Sequence, residues 1–597
     1  MKKQYHTLII GTGCAGYNAA LSLSSLAVTD IAIVTEGRFM GTSRNTGSDK
    51  QTYYKLSLSG SDGDSVREMA DTLYSGGGVM GEHALCEAAY SVRSFMRLVE
   101  LGVPFPTNEY GEYAGYKTDH DPRSRATSCG PLTSKYMTEA LERAVVSRGI
   151  EIIDFQRVIK ILTEDNTVTG LVCANTVTGE ISVISCQNVI LCTGGPACIY
   201  KNTVYPESQH GATSLAIDAG AALSNMEEWQ YGIASTKFRW NLSGTYQQVL
   251  PRYVSVDNDG NEKEFLYDAL GDASLGLIFL KGYQWPFDTR KAEGSSKVDI
   301  LVAKEIKKGN RVFLDFTKNP KGLERGFDIL PSEAYSYLER SGALFGTPIE
   351  RLEKMNIGAI RLYADHSIDL YSEPLEIAVC AQHCNGGVAV DENWESEIKG
   401  LYSAGEAAGT FGVYRPGGSA LNSTQVGSLR AAEHIARKEQ RNISSSLVYD
   451  MPNIRYGASN IKIFGDELRE NMSLAADFDR NTVKMQRLFE RVSSLAESFF
   501  ETAVISDESE TAELYRLYDT VITQRAVLSA MLLSAREIGS HGSAFVDGMP
   551  QSKETSVRNT RTLTKGDVSF LSPVSQMPTP ELWFETLLAR KQKEMKI

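Results

Sequence analysis

Three glycines set the first chemical expectation. They stand in the run Gly11-Thr12-Gly13-Cys14-Ala15-Gly16, directly after an apolar strand pattern over residues 6–10. Helical spacing follows over residues 17–26. A second apolar run at Ile31–Val34 then ends next to Glu36, which lies 20 residues beyond Gly16. In such a βαβ unit the first glycine allows the tight turn. The second lets a pyrophosphate approach the backbone, and the third lets helix and strand pack closely. The helix N-terminus offers unpaired N–H groups and the positive end of its dipole to the phosphates. An acid at the end of the second strand accepts from ribose hydroxyls, which favours FAD or NAD over NADP. Glu406, in Ala404-Gly405-Glu406, and Arg415, in Tyr414-Arg415-Pro416-Gly417-Gly418, are the next candidates. A guanidinium suits a bidentate hold on a carboxylate or a polarised carbonyl.

The rest of the chain supplies the elements that must position these groups. A loop rich in hydroxyl residues covers 38–60, two helices are expected over 63–104, and an amphipathic helix over 136–148. Three strand patterns (150–163, 168–176 and 181–192) are separated by turns at Glu164-Asp165-Asn166 and Thr178-Gly179. They form a β-meander that closes on Thr193-Gly194-Gly195. A Rossmann half followed by a meander points to a flavoprotein scaffold rather than a simple NAD dehydrogenase. From about 237 to 356 the pattern breaks into mixed, aromatic-rich segments, read as an inserted domain. Short strands resume at 388–390 and 400–406. Ser419-Ala420-Leu421 opens a helix running to about 438, residues 458–540 are helical, and 541–597 form a looser tail.

Composition sets bounds. The 597 residues are 42% apolar and 23% charged, near globular averages. A net charge of −13 and no basic stripe disfavour nucleic acid. Nine scattered cysteines include no CxxC, which excludes c-type haem and zinc-ribbon sites and fits a reducing compartment. No apolar run approaches the ~18 residues of a membrane span. The sequence passes from Met1-Lys2-Lys3 straight into a strand, so no signal peptide and a cytoplasmic location are expected.

The motifs together resemble a family, the flavoprotein subunit of succinate dehydrogenase and fumarate reductase, with L-aspartate oxidase and the adenylylsulfate reductase flavoprotein as relatives. The likeness spans nearly the whole chain. It covers the N-terminal glycines, Asp121-Pro122-Arg123 after His120, Cys192-Thr193-Gly194-Gly195, and Ala219-Gly220-Ala221 to Met226-Glu227. It continues through 400–406, Arg415 to Leu421, and Arg536-Glu537-Ile538-Gly539-Ser540-His541. The resemblance implies an α/β fold with a Rossmann-like FAD-binding domain carrying the meander (1–235 and 357–440). It also implies an inserted α+β capping domain (236–356) and a C-terminal helical domain (441–597). Substrate would sit between flavin and cap, where a lid excludes water.

On this reading FAD is held by Gly11, Gly13, Cys14, Ala15, Gly16, Glu36, Ser43, Thr193, Gly194, Gly195, Glu406, Ser419, Ala420 and Leu421. Glu406 matches the family acid at the ribityl chain. The family's tethering His is absent from the loop at 41–48, so FAD is expected to be non-covalent. In the family, hydride passes between flavin N5 and a carbon β to a carboxylate, a cap Arg moves the proton, and a second Arg and two His hold the carboxylates. Arg415 matches the second Arg. Gly232 and Gln382 stand where the His residues would be, with His383 one residue late, and Ser295 falls at the cap Arg. The catalytic candidates are therefore Arg415, Ser295, Arg290, Gln382, His383 and Tyr414, with Tyr283 as a further donor.

With most of the dicarboxylate clamp gone, the expected activity is reduction of an activated C=C bond, an enoate or enone, on a small-molecule substrate. Electrons would arrive from a partner such as an iron–sulfur or FMN protein, or from a diffusible reduced carrier. Two alternatives stay open: an oxidase or dehydrogenase of an amine or hydroxyl compound, and an FAD-containing electron-relay subunit of a complex.

Overall fold

The computed structural model describes residues 4–61, 63–196, 199–441, 447–549 and 559–595. Cys198 lies outside them, and the other eight cysteines are free thiols.

Strand Gln4–Ile10 is the centre of a seven-stranded sheet. Leu8 and Ile9 are fully buried, as befits a parallel strand covered on both faces. It runs parallel to Ile31–Val34 on one side and to Ile181–Leu191 on the other. Glu151–Ile153 and Leu401–Ser403 extend the parallel part, while Gln156–Glu164 and Thr167–Asn175 join Ile181–Leu191 as the antiparallel meander. Two glycines make the first crossover possible. Gly11 has φ +109°, and a Cβ on it would lie 2.5 Å from the Cys192 carbonyl oxygen. A Cβ on Gly16 would lie 2.0 Å from the Gly11 carbonyl oxygen. These two glycines thus close the turn against the strand end, and the helix Cys14–Ser25 starts from that turn.

The cap is built on a six-stranded antiparallel sheet, and this sheet crosses both expected domain boundaries. Its order is Trp240–Asn241, Trp229–Ser235, Leu375–Cys384, Arg311–Asp315, Arg252–Val256, Glu262–Lys263. The strands at 229–235 and 375–384 lie on the FAD side of the boundaries drawn from sequence, yet they hydrogen-bond into the cap's sheet. Aromatic and aliphatic side chains from Ile233 to Ile377 form a separate apolar core there. Within it, Lys281 and Asp299 form a fully buried ion pair at 2.7 Å.

The C-terminal part contains the helices Ile461–Ala475, Thr482–Glu497 and Thr511–Glu537. The last buries side chains on all sides and runs through the core. The tail is more ordered than a helical domain with a loose end would be. Strands Thr560–Lys565 and Val568–Pro573 form a hairpin that pairs with Leu223–Ser224 and, through it, with Gly387–Val388. Thr562 ties this hairpin inward: its hydroxyl donates to Glu227, which is fully buried, at 2.6 Å. Among the described residues no helix is long and apolar enough to cross a membrane.

Replacing Thr562 with Ala weakens the satisfaction of a buried carboxyl and should cost about 1–3 kcal/mol. Urea unfolding followed by circular dichroism measures this, and an unchanged midpoint would mean that the hairpin is not coupled to the core.

Candidate active site

A cavity of about 750 Å³ runs from the glycine turn to the cap, a size within the ~300–1,000 Å³ of cofactor and ligand sites. At one end lie Gly11, Gly13, Ala15, Glu36 and Ser43. Gly13 is the open point of the turn. A Cβ there would meet nothing closer than the Ser43 hydroxyl at 3.2 Å, so the backbone faces the cavity. Glu36 is fixed from behind by two arginines. Its Oε1 accepts from Arg157 at 2.6 Å, and its Oε2 accepts from Arg516 Nε at 3.0 Å. Burial works against ionisation of Glu36, but the two guanidiniums overcome it and hold the carboxylate at about 2. Neither arginine stands out in the sequence as a site residue. Arg157 lies inside an otherwise apolar strand pattern, which was a usable signal, whereas Arg516 lies 480 residues from Glu36 and gave none.

The middle of the cavity is walled by Thr193, Gly194, Glu406, Ala420 and Leu421. Gln209 pins the turn, its amide donating to the Thr193 and Gly195 carbonyls at 2.5 and 3.2 Å. Gly195 does not reach the cavity but makes room for Glu406, whose Oε1 would lie 2.4 Å from a Cβ at that position. Glu406 accepts from the Cys384 N–H at 3.0 Å and from the Tyr205 hydroxyl. Burial pushes it up to about 7. Cys14 and Gly16 also lie off the wall. The Cys14 thiol packs against Thr138 and only its N–H turns forward, to Ser43 at 3.3 Å. Ser419 faces Arg415 instead.

Arg415 marks the far end. Its Nη2 donates to Gln230 Oε1 at 2.7 Å and its Nη1 to the Ser419 hydroxyl at 3.5 Å, while Nε has no partner. Among the described residues the guanidinium forms no ion pair. Desolvation lowers its pKa to about 10, so it stays charged at neutral pH.

Gln382 and His383 both line the cavity because the strand bulges. Gln230 pairs with His383 and Tyr231 with Ala381, leaving Gln382 as the extra residue. His383 Nδ1 donates to Asn385 Oδ1 at 3.0 Å, and its Nε2, 3.9 Å from Glu406 Oε1, has no hydrogen bond among the described residues. Burial and the neighbouring Arg415 hold this imidazole well below its usual range, and therefore neutral. Among the described residues the Gln382 amide nitrogen has no acceptor.

The remaining cap candidates do not come together. Ser295 is fully buried and off the cavity wall, so it cannot act as the general acid expected there. Arg290 lies over the Tyr414 ring at 3.5 Å and pairs with Asp288 at 2.8 Å. Tyr414 turns its hydroxyl to the Gly542 N–H at 3.0 Å, and neither Arg290 nor Tyr414 lines the cavity. Tyr283 does, and its hydroxyl donates to Glu333. Sequence reasoning also missed Glu87, a buried acid on helix Gly81–Glu100 that shares a small void with Arg415 and Ser419. Burial pushes Glu87 up from 4.5 to about 7.

This donor set fits FAD: an anion-ready glycine turn, a ribose acid, a second acid at mid-cavity and a helix start at Ser419–Leu421. The family model described as FAD binding domain matches residues 6–421, and the chain belongs to that family. A fumarate reductase (CoM/CoB) subunit of Methanothermobacter marburgensis is 26% identical over 557 residues, covering 89% of this chain and 93% of that protein. L-aspartate oxidase of Xylella fastidiosa (strain 9a5c) is 28% identical over 444 residues, covering 72% and 74%. Among solved structures, the chain is similar to E. coli quinol fumarate reductase FrdA (TM-score 0.71, 19% identity, 98% of each chain). It is also similar to Mycobacterium smegmatis Sdh1 (TM-score 0.73, 18% identity, 100% of this chain and 98% of that one). The protein is an FAD-dependent oxidoreductase of this family.

Glu87 gives a pH-dependent prediction. Its folded value lies above its unfolded one, so the folded state holds an extra proton between about 4.5 and 7 and stability falls as pH rises through that window. Glu87→Gln removes the effect. Relative to the parent protein, the variant should be unchanged near pH 4.5 and gain up to about 3 kcal/mol by pH 8. Denaturant midpoints across pH measure it, and parallel curves would show that Glu87 does not titrate this way.

Proposed function

We propose that the protein reduces an activated C=C bond, an enoate or enone, with FAD bound non-covalently. One observation carries this reading: a charged Arg415, recessed in the wall with no ion pair among the described residues, facing a cavity lined also by the groups that would hold FAD. When bound, FAD supplies a hydride at its N5.

Arg415 holds the substrate's carboxylate or carbonyl and so draws charge away from the double bond. Gln230 keeps the guanidinium aimed, and the unpaired Gln382 N–H donates a second hydrogen bond to the same group. The neutral His383 adds no charge. Proton delivery falls to Tyr283, a phenol on the cavity wall: its hydroxyl proton passes to the substrate carbon that does not take the hydride, and solvent-exposed Glu333, hydrogen-bonded to that oxygen, returns a proton taken up from water. The loop at 41–48 has no His, and Ser43 is its residue nearest the glycine turn, which supports a non-covalent cofactor. Electrons enter from an iron–sulfur or FMN partner protein, or from a diffusible reduced carrier. Among the described residues no group of three or more metal-ligating side chains is positioned to hold an ion.

Photochemically reduced holoprotein should be reoxidised faster by an unsaturated acid or ketone than by dioxygen. The reverse order would favour the oxidase reading. Arg415→Ala should retain yellow FAD and lose most turnover, and equal activity would remove Arg415 from the mechanism. Tyr283→Phe should slow turnover about a hundredfold or more at unchanged substrate affinity. After acid precipitation the flavin should stay in the supernatant, whereas a yellow pellet would mean a covalent link.

A further inference from the structure

We infer that the substrate is a planar, conjugated monoanion, an aryl-substituted enoate, and that Trp285 selects it against a dicarboxylate. This rests on the reading of the cavity as the site of C=C reduction.

The first observation concerns space. Trp285 lines the cavity beside Gly232. A Cβ on Gly232 would lie 2.6 Å from the Trp285 ring and 2.7 Å from the Gln382 amide nitrogen. No side chain fits at 232 while Trp285 occupies this place, so an imidazole cannot stand there. The indole takes the volume and offers an apolar flat face in its stead. That face is held firmly. Lys281, buried in its ion pair with Asp299, sits 5.5 Å from the Trp285 ring as a cation–π partner.

The second observation concerns charge. Gln230, Gln382 and the neutral His383 line the cavity with Arg415, so among the described residues this end of the cavity contains one buried cation. Lys50 and Lys117 also line the cavity, but both are exposed to solvent. A second carboxylate placed beyond the double bond would meet indole and amide rather than a cation, and its desolvation would go unmatched. An aromatic ring there stacks on Trp285 instead. Phe279, Tyr283 and Tyr337 continue the wall from Trp285 into the cap and lengthen the space for such a ring.

The test uses the oxidised holoprotein and two probes, trans-cinnamate and fumarate, titrated against the flavin absorbance spectrum. Cinnamate should bind at least tenfold more tightly than fumarate. Trp285→Ala should weaken cinnamate at least tenfold and leave fumarate unchanged or stronger. Trp285→Phe, which keeps an aromatic face, should retain the cinnamate preference and serves if the Ala variant does not fold. Arg415→Ala should lose both probes. Fumarate binding as tightly as cinnamate, or a Trp285→Ala loss shared equally by both, overturns the inference. Reoxidation of the reduced flavin by each probe is measured separately. Tight cinnamate binding without reoxidation would defeat the reductase reading and leave the ligand class standing. Reoxidation by fumarate without cinnamate binding would do the opposite.

Discussion

A charged guanidinium withdrawn from bulk water, with no ion pair among the described residues, organises this site. Desolvating Arg415 costs several kcal/mol unless something compensates. The fold offers only partial compensation, through one amide oxygen, one serine hydroxyl and two nearby carboxyls, Glu406 and Glu87, each pushed up to about 7. The remaining demand is for an anion or a polarised carbonyl arriving from the cavity. A proton gained or lost by either acid changes how hard Arg415 pulls.

The cavity belongs to both layers of the protein. Its floor is the parallel sheet and the glycine turn, and its roof is the cap. The two are joined by the strands at 229–235 and 375–384, which lie in the cap's sheet and yet carry Gln230, Gln382 and His383 into the cavity. A cap rooted in this way does not sit on the site as a detached cover. Any shift of its sheet carries Gln230, Gln382 and His383 with it.

The FAD end was largely legible in the sequence because its chemistry is local. Gly11, Gly13, Gly16 and Glu36 all fall within one βαβ unit, and each glycine has a distinct steric reason to be there. Glu406, Ala420 and Leu421 lie in short glycine-flanked runs that stand out by themselves, and they line the same cavity, whereas Ser419 turns to Arg415. The substrate end was not, because it is assembled from distant segments. The bulge that turns both Gln382 and His383 inward depends on pairing with a strand some 150 residues earlier, and strand alternation alone predicts opposite faces for them. Trp285 was visible only as one of many cap aromatics. Its role depends on the missing Cβ at 232, a relation between two positions rather than a property of either. Ser295 shows the converse failure: an alignment can place a residue at a catalytic column that the chain then buries.

The carboxylate at position 36 is clasped by an arginine made 480 residues later, and the hairpin at 560–573 completes a sheet begun at 223–224. During translation, therefore, the nucleotide pocket exists at first without its back wall. The carboxylate gains its second cationic partner only when helix Thr511–Glu537 has packed against the glycine unit. A complete glycine motif is thus only half of the arrangement, for the acid that follows it is set by residues 121 and 480 positions further on.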